Sequence, residues 1–443
     1  VTENSDIPEG YKVTERGVLP EEWDVVKIID VVDFTKKPRS LSINPEDMLP
    51  FIPMEMIPDN NDSVIRWQEK KNSEISSGTF VFRGDLIVAK ITPCFENGKQ
   101  AILDNLPTDY AYTTTEVWPM HPKENQILID FLSNYLRNPI VRKELTAKME
   151  GSTNRQRLPR EALQNLLIPL PPLPEQHAIA HVLHTVQEAK EKTDAVIAAT
   201  KALKASMMKH LFMYGPVSLE DAGDVALKET EIGLVPDGWN VAKLEDYCTL
   251  IIDCPHSTPH FIETGFLVIR TSNVRDGILV FNPPSYLSKD EYKERIARGE
   301  PQENDILFTR EAPIGEACLV PPNTRLCLGQ RMMLIRPDKS KTNPYFLMRT
   351  LYSEKIQNEM HTRGSGVTAK HLNVADVKRL KLPIPPLPLQ NQIANILYSI
   401  DQKLSAEQSR KEALDTLFAT LLHDLMTAKI RVSGTGPAPE KTC

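Results

Sequence analysis

The sequence predicts an α/β (α+β) chain built twice, with two similar mixed domains separated by two long helices that pack on each other. Three observations carry this. A proline-rich entry runs into a helix at Ile168-Pro-Leu-Pro-Pro-Leu-Pro-Glu-Gln-His-Ala-Ile-Ala-His-Val-Leu183, and again at Leu382-Pro-Ile-Pro-Pro-Leu-Pro-Leu-Gln-Asn-Gln-Ile-Ala-Asn-Ile-Leu397. A long stretch with neither Pro nor Gly follows each entry. The copies lie about half a chain apart, which marks a duplication rather than a short-period solenoid.

Each half begins alike. Thr14-Glu-Arg-Gly-Val-Leu-Pro-Glu-Glu-Trp23 matches Thr230-Glu-Ile-Gly-Leu-Val-Pro-Asp-Gly-Trp239, and a short apolar stretch follows (Val25 to Val32; Val241 to Leu250). Gly84-Asp-Leu-Ile-Val-Ala-Lys90 then matches Asn304-Asp-Ile-Leu-Phe-Thr-Arg310, each reading as a buried strand that ends in a base. A turn follows (Thr92, Pro93; Ala312, Pro313), then an apolar helical stretch (Ile127 to Leu136; Tyr345 to Leu351). Next comes a Gly-Ser element, Gly151 to Leu158 or Gly364 to Leu372. Pro53 to Ser77 and Asp253 to Asn282 find no counterpart, and are expected to be the loops in which the halves differ.

The prolines set the helix starts. Pro171, Pro172 and Pro174 fix φ and remove donors, so the chain before the helix is extended; Pro174 fits the first turn, where its missing N–H costs nothing. Pro385, Pro386 and Pro388 repeat the device. From Glu175 to Tyr214 the helix reaches roughly 60 Å at about 1.5 Å per residue. Its expected seam is Ile179, Val182, Val186, Ala189, Thr193, Val196, Leu203 and Met207. The second helix offers Ile393, Ile396, Ile400 and Leu404, a polar middle from Glu407 to Lys411, then Leu414, Leu417, Leu421 and Leu425. A lone helix with one apolar stripe is marginal in water, so the two are expected to pair. The expected division is a first domain over 1–173, a helix over 174–214, a second domain over 215–387, a helix over 388–430 and a disordered tail over 431–443.

The chain has 443 residues and a formal net charge of -7, which at first argues against a nucleic-acid partner. Local fields decide binding, however, and bases outnumber acids from Phe131 to Arg160. No run of eighteen apolar residues exists, so no membrane helix is expected. Val1 to Gly10 is polar and acidic, unlike a signal peptide. Six cysteines without CxxC pairs suit reduced thiols and a cytoplasmic location.

The strand, the Pro-Leu-Pro-Pro-Leu-Pro-Glu-Gln entry and the long helix, all duplicated, resemble the specificity (S) subunit of type I restriction–modification systems. The resemblance covers Val13 to about Lys429. It implies two target recognition domains held apart by an antiparallel coiled coil, a pseudo-twofold repeat that reads a two-part sequence in double-stranded DNA. It implies two adenine-N6 methyltransferase subunits and motor-nuclease subunits as partners, in defence against foreign DNA. On that reading this chain is non-catalytic and carries no cofactor; S-adenosylmethionine, ATP and Mg2+ belong to the partners. One departure stands out: Leu389 replaces Glu175, so the second helix start loses its carboxylate.

The Gly-Ser elements present free backbone N–H groups suited to phosphate oxygens. Ser152, Arg155, Arg157 and Arg160 belong to the first; Arg363 and Lys370 flank the second. Lys90 and Arg310 are equivalent in the two halves, which suits phosphate contact better than base reading. Asp253-Cys-Pro-His-Ser-Thr-Pro259 resembles a loop found early in target recognition domains, so His256 and Ser257 are expected to meet DNA. Cys248, Cys254, His256 and His260 have zinc-ligand chemistry without a finger's close Cys pair, and no metal is expected. Asn282-Pro-Pro-Ser285 resembles an amino-methyltransferase motif with Ser where an aromatic belongs; a proline turn is expected instead. Pro58-Asp59 with Glu69-Lys70-Lys71 loosely fits a nuclease pattern. A self-contained methyltransferase or nuclease is therefore the alternative to a specificity subunit, and a scaffold without nucleic acid is the third possibility. No Gly-x-x-x-x-Gly-Lys-Ser/Thr loop exists to drive a motor. The outer face of the first helix, with Glu188, Lys190, Glu191, Lys192 and Asp194, suits either an internal brace or a docking surface.

Overall fold

The computed structural model describes residues 7–59, 66–152, 155–281, 283–363 and 371–432. The chain forms two compact units. One comprises Val1–Asp194 with Ser409–Cys443; the other comprises Ala195–Gln408.

The first unit holds a four-stranded antiparallel sheet in the order Val32–Phe34, Val117–Pro122, Leu86–Ala89, Gln100–Ile102. All four residues of Leu86–Ala89 are buried, which explains their unbroken apolar run. A second sheet runs Gln68–Lys71, Met48–Ile52, Tyr110–Thr113, Thr79–Phe82, and its Met48–Ile52 and Tyr110–Thr113 strands are parallel. The second unit repeats the plan. Its antiparallel sheet is Cys248–Asp253, Met332–Pro337, Ile306–Arg310, Ile314–Leu319. Its smaller sheet is Ser285–Leu287, Phe266–Ile269, Leu326–Leu328, again with one parallel pair. The Thr92–Pro93 and Ala312–Pro313 bonds, which follow the buried strand in each half, are both cis.

The helix entries are built identically. Leu167–Leu170 pairs antiparallel with Asp24–Lys27, and Lys381–Ile384 with Asn240–Lys243. The helices that follow are Leu173–Tyr214 and Leu387–Met426. The glutamine of each entry motif is buried and holds the helix start against a neighbouring loop. Gln176 accepts from the Leu128 amide at 2.8 Å and donates to the Pro171 carbonyl at 2.9 Å. Gln390 accepts from the Asn343 amide at 3.0 Å and donates to the Pro385 carbonyl at 2.9 Å. A buried amide satisfied at both ends is directional as well as stabilising, which accounts for the glutamine in both copies.

The residue before it differs. Glu175 is buried, accepts from the Trp23 indole at 2.8 Å and pairs with Arg431 at 2.6 Å. Arg431 also pairs with Glu22. The hydrogen bond to Glu175 raises the Arg431 pKa above its ordinary value. In the second unit Leu389 takes that place, and no arginine stands in the stretch Gly215 to Ser218 that follows the first long helix. The carboxylate and its cation are absent together.

Each unit contains a segment of both long helices, and within each they run antiparallel. In the first unit Lys190 meets Asp415 at 2.7 Å and Asp194 meets Lys411. Phe418, Leu422 and Leu425 join Ile179 and Leu183 in a core around Trp23, Phe131 and Ile168. In the second unit Lys204 meets Asp401 at 2.8 Å. Leu211 and Phe212 pack with Ile393 and Leu397, and the Phe212 and Phe346 rings lie 5.7 Å apart.

The expected seam needs correction. Thr193 is buried as expected, but Val196 and Leu203 are 38% and 51% exposed, whereas Ile197 and Thr200 are buried and Lys204 turns toward Asp401. In the second helix Leu417 is exposed and Phe418 buried. The inward positions Ile179, Leu183, Val186, Lys190, Thr193, Ile197, Thr200, Lys204, Met207 and Leu211 recur at alternating steps of four and three, so the heptad period holds and only its second position lies one residue beyond the expected one. Glu407, in the polar middle, is buried and pairs with Lys403. Among the described residues no helix is long and apolar enough to cross a membrane.

Candidate nucleic-acid interface

In the first unit the sheet brings several predicted cations together. Lys90 follows the buried strand Leu86–Ala89; its amide donates to the Glu116 carbonyl at 2.9 Å and its carbonyl accepts from the Leu158 amide at 2.7 Å. Its ammonium lies 4.3 Å from the centre of the Trp118 ring. Arg157 is antiparallel-bridged to Ile91 and to Glu150, and its guanidinium grips Glu116 with two bonds of 3.0 and 2.8 Å. Burial pushes the Lys90 pKa down, and the Arg157 hydrogen bond holds Glu116 below the usual carboxylate range. Glu116 is therefore a fixed anion between two cations.

Gly151 has φ of 122° and a Cβ there would lie 2.9 Å from the Arg155 carbonyl, so the turn requires glycine. Ser152 accepts the Arg155 amide at 2.8 Å through its carbonyl, and both side chains are exposed. Arg160 opens the helix Arg160–Gln164 and stacks 4.5 Å from the Phe34 ring centre, with its Nε buried and unpartnered. Phe34 ends its strand, and the chain leaves it through Lys36, Lys37 and Arg39, all exposed. Sequence reasoning missed this basic loop. The signal was present: three bases around Pro38 directly after an apolar strand, where the second half has the loop containing His256.

In the second unit Arg310 occupies the place of Lys90. Its amide donates to the Arg331 carbonyl at 3.1 Å and its carbonyl accepts from the Leu372 amide at 2.9 Å, while its Nε is buried without a partner. Arg331, 3.5 Å from Glu311, stands where the first unit has Glu116, and was also missed. The loop after Cys248–Asp253 is tied to the turn carrying Arg331: Gln330 donates to the His256 carbonyl at 2.6 Å and to the Thr258 hydroxyl at 3.1 Å. His256 is exposed and 3.2 Å from Asp253. Ser257 is less free than expected, because buried Arg295 donates to its carbonyl at 2.7 Å and its hydroxyl at 3.3 Å. Arg363 ends the helix Glu354–Arg363 and pairs with Glu359 at 2.6 Å. Lys370 and most of its Gly-Ser element lie outside the described residues, as does Asn282.

The residues of the alternative chemistries are committed elsewhere. Asp59 pairs with Lys99 at 3.5 Å, Glu69 accepts from Trp67 at 3.0 Å and Lys70 lies over Phe51. Cys248 opens the strand Cys248–Asp253 and Cys254 follows its far end, roughly 20 Å away at about 3.3 Å per residue, so they cannot share an ion. What both units offer is a cation at the end of the same buried strand with further bases around it, backed in the first unit by the Trp118 and Phe34 rings, an arrangement suited to phosphates and base edges.

Comparison with known proteins points the same way. The family model for the type I restriction modification DNA specificity domain matches residues 20–198 and again 236–416. The type I restriction enzyme MjaVIII specificity subunit of Methanocaldococcus jannaschii is 23% identical over 449 residues, covering 96% of each chain. The EcoAI specificity subunit of Escherichia coli is 23% identical over 516 residues, 95% of this chain and 86% of that one. Among solved structures, the S subunit of a type I restriction-modification system from M. genitalium matches with a TM-score of 0.58 at 16% identity, over 91% of this chain and 96% of that one. A chain from a type I R-M system solved to study complex assembly and conformational transition matches with a TM-score of 0.55 at 20% identity, over 93% and 99%. At these identities the two structures speak for the fold.

Proposed function

Because this chain belongs to the type I restriction modification DNA specificity family, matched once in each half, we infer that it is the specificity subunit of such a system, a non-catalytic sequence reader. Each recognition domain reads one part of a bipartite target in double-stranded DNA. The paired helices fix the unread gap and dock two methyltransferase subunits, which methylate adenine at N6. Motor-nuclease subunits join for restriction. S-adenosylmethionine, ATP and Mg2+ act on those partners. The domain limits are taken as 1–173 and 215–387, with the spacer segments 174–214 and 388–430 formed by the long helices Leu173–Tyr214 and Leu387–Met426.

The observation that supports this best is the equivalence of Lys90 and Arg310. Lys90 directly follows the buried strand of its unit and Arg310 ends the corresponding one, and the carbonyl of each accepts the amide of the leucine that closes the Gly-Ser element. The same cation in the same backbone frame suits a phosphate, which is alike in both half-sites; the surrounding loops differ, as base readers must. Ser152, Arg155, Arg157 and Arg160 in one domain, and His256, Ser257, Arg363 and Lys370 in the other, complete the proposed contacts. Lys36, Lys37, Arg39 and Arg331 are added to them.

The test is methylome sequencing of cells that carry the methyltransferase subunit with and without this chain. N6-methyladenine at one two-part motif, present only with the chain, is expected. Methyl transfer from S-adenosylmethionine by the purified chain alone would overturn the reading.

A further inference from the structure

Arg270 differs from its neighbours in the second unit. Arg295, Arg298, Arg336 and Arg349 are all tied to carboxylates or carbonyls. The Arg270 guanidinium instead lies 5.2 Å from the centre of the Phe261 ring and donates to no acceptor among the described residues. Its backbone is fixed. The Arg270 amide donates to the Asn273 side chain at 2.9 Å, and buried Asn273 in turn donates to the Val280 carbonyl at 2.8 Å. That turn joins two exposed apolar segments, Phe261-Ile262 and Val280-Phe281, all more than 40% exposed. It also adjoins the other candidate contacts, since the Cγ of Arg270 is 3.4 Å from where a Gly329 Cβ would stand, next to Gln330 and Arg331.

We propose that Arg270 reads a guanine in the second half-site, held in its reading orientation by the Phe261 ring. This rests on the reading of the chain as a DNA specificity subunit. A guanidinium stacked on a ring is a planar fork with little freedom left to lose, and its free edge matches guanine O6 and N7. The apolar rim keeps water from competing for that edge. Position in the repeat favours a base over a phosphate. Phe266–Ile269 and the turn Thr271–Asn273 correspond to Met48–Ile52 and the turn Met54–Met56. Between them stands Arg270 in one half and Pro53 in the other. A contact to the uniform backbone would serve both halves, whereas a base contact serves one.

The experiment uses the full chain assembled with its methyltransferase subunits, on duplexes carrying the motif found by methylome sequencing. Each guanine of the second half-site is replaced in turn by 7-deazaguanine, which lacks the N7 acceptor. The wild-type complex is expected to lose about ten- to a hundredfold in methylation rate at one such position. Arg270→Ala is expected to be indifferent to that replacement and to accept other bases there, with the first half-site unchanged. Arg270→Lys keeps the charge and should keep the salt dependence while losing the guanine preference; Phe261→Ala should relax the same position. The analogue arm needs no variant, so a poorly folding mutant does not shield the proposal. It is overturned if no second-half guanine is sensitive, if the sensitivity persists in Arg270→Ala, or if Arg270→Ala weakens all sequences alike with a shallower salt slope. Loss of methyltransferase assembly in Phe261→Ala would overturn it in favour of a protein-docking patch. Absence of any bipartite methylation by the wild-type complex would instead remove the specificity-subunit reading itself.

Discussion

Glu175 shows how one side chain can separate two otherwise matched halves. It is a buried carboxylate whose partners are Trp23 and Arg431. Arg431→Ala should cost about 1–3 kcal/mol, because the desolvated carboxylate loses its counter-charge. A double variant, Glu175→Leu with Arg431→Leu, copies the apolar solution of the second half and should be less damaging than Arg431→Ala alone. Urea unfolding of these two variants and of the single variants Glu175→Leu and Arg431→Leu checks this, and strict additivity would show that the pair is not coupled. At the proposed interface, Glu116 is the residue to change. It neutralises Arg157, so Glu116→Gln should free that guanidinium and steepen the salt dependence of DNA binding by about one unit in log–log slope. Arg155→Ala should make it shallower by about one. Anisotropy titrations between low and moderate salt measure both. The cations at strand ends were legible in the sequence, because a strand ending in a base occurred twice at one place in the repeat. The carboxylates that engage them were not. Glu116 and Arg157 are 41 positions apart, and only the sheet brings them together.

At the scale of the element, the long helices were legible in extent and misjudged in face. Prolines before and an unbroken Pro- and Gly-free run after fix where a helix begins and how far it continues. The buried stripe is harder, because steps of three and of four from a correct position both fit a heptad, and polar residues such as Thr200, Lys204 and Glu407 fill inward places that an apolar count skips. The correction is testable. Phe418→Ala should cost about 3–5 kcal/mol as a buried aromatic lost from a packed core, while Val196→Ala and Leu203→Ala should stay within about 0.5 kcal/mol. Thermal unfolding distinguishes these; equal costs would restore the expected stripe through Val196 and Leu203. The same helices are proposed to fix the unread gap. Four residues inserted beside Ala195, matched by four beside Ser409, add about 6 Å and roughly 40° beyond a full turn. At about 10 base pairs and ~34 Å per turn of DNA, the gap should lengthen by one or two base pairs with both half-sites kept. Methylome sequencing reads the gap directly, and an active enzyme with an unchanged gap would show that other elements set it. The glutamines of the entry motif were visible as letters long before their work was. Gln176 and Gln390 hold loops some fifty residues away in sequence, Leu128 and Asn343, and no local pattern announces such a bond.

For the whole molecule, the repeat was the most legible feature, since matched segments in one order require one topology twice. The differing loops were located but not interpreted, because loop conformation follows from packing that a single sequence does not display. Modularity is the consequence for function: exchanging Leu19 to Leu167 for the corresponding segment of another family member should alter one half-site and leave the other. A change in both would contradict two independent readers. A different consequence follows from how the units draw on the chain. The second is one continuous segment, Ala195–Gln408, whereas the first waits for Ser409 onward to supply Phe418, Leu422 and Leu425. A domain is usually finished in the order it is made; here the order of synthesis and the order of completion are reversed. On the ribosome the later repeat has all its residues first, while the earlier one stays open, with Ile179 and Leu183 lacking their cover, until the last helix emerges. Nascent chains stalled near residue 410 plus the tunnel length should resist protease over the second repeat and remain cleavable in the first.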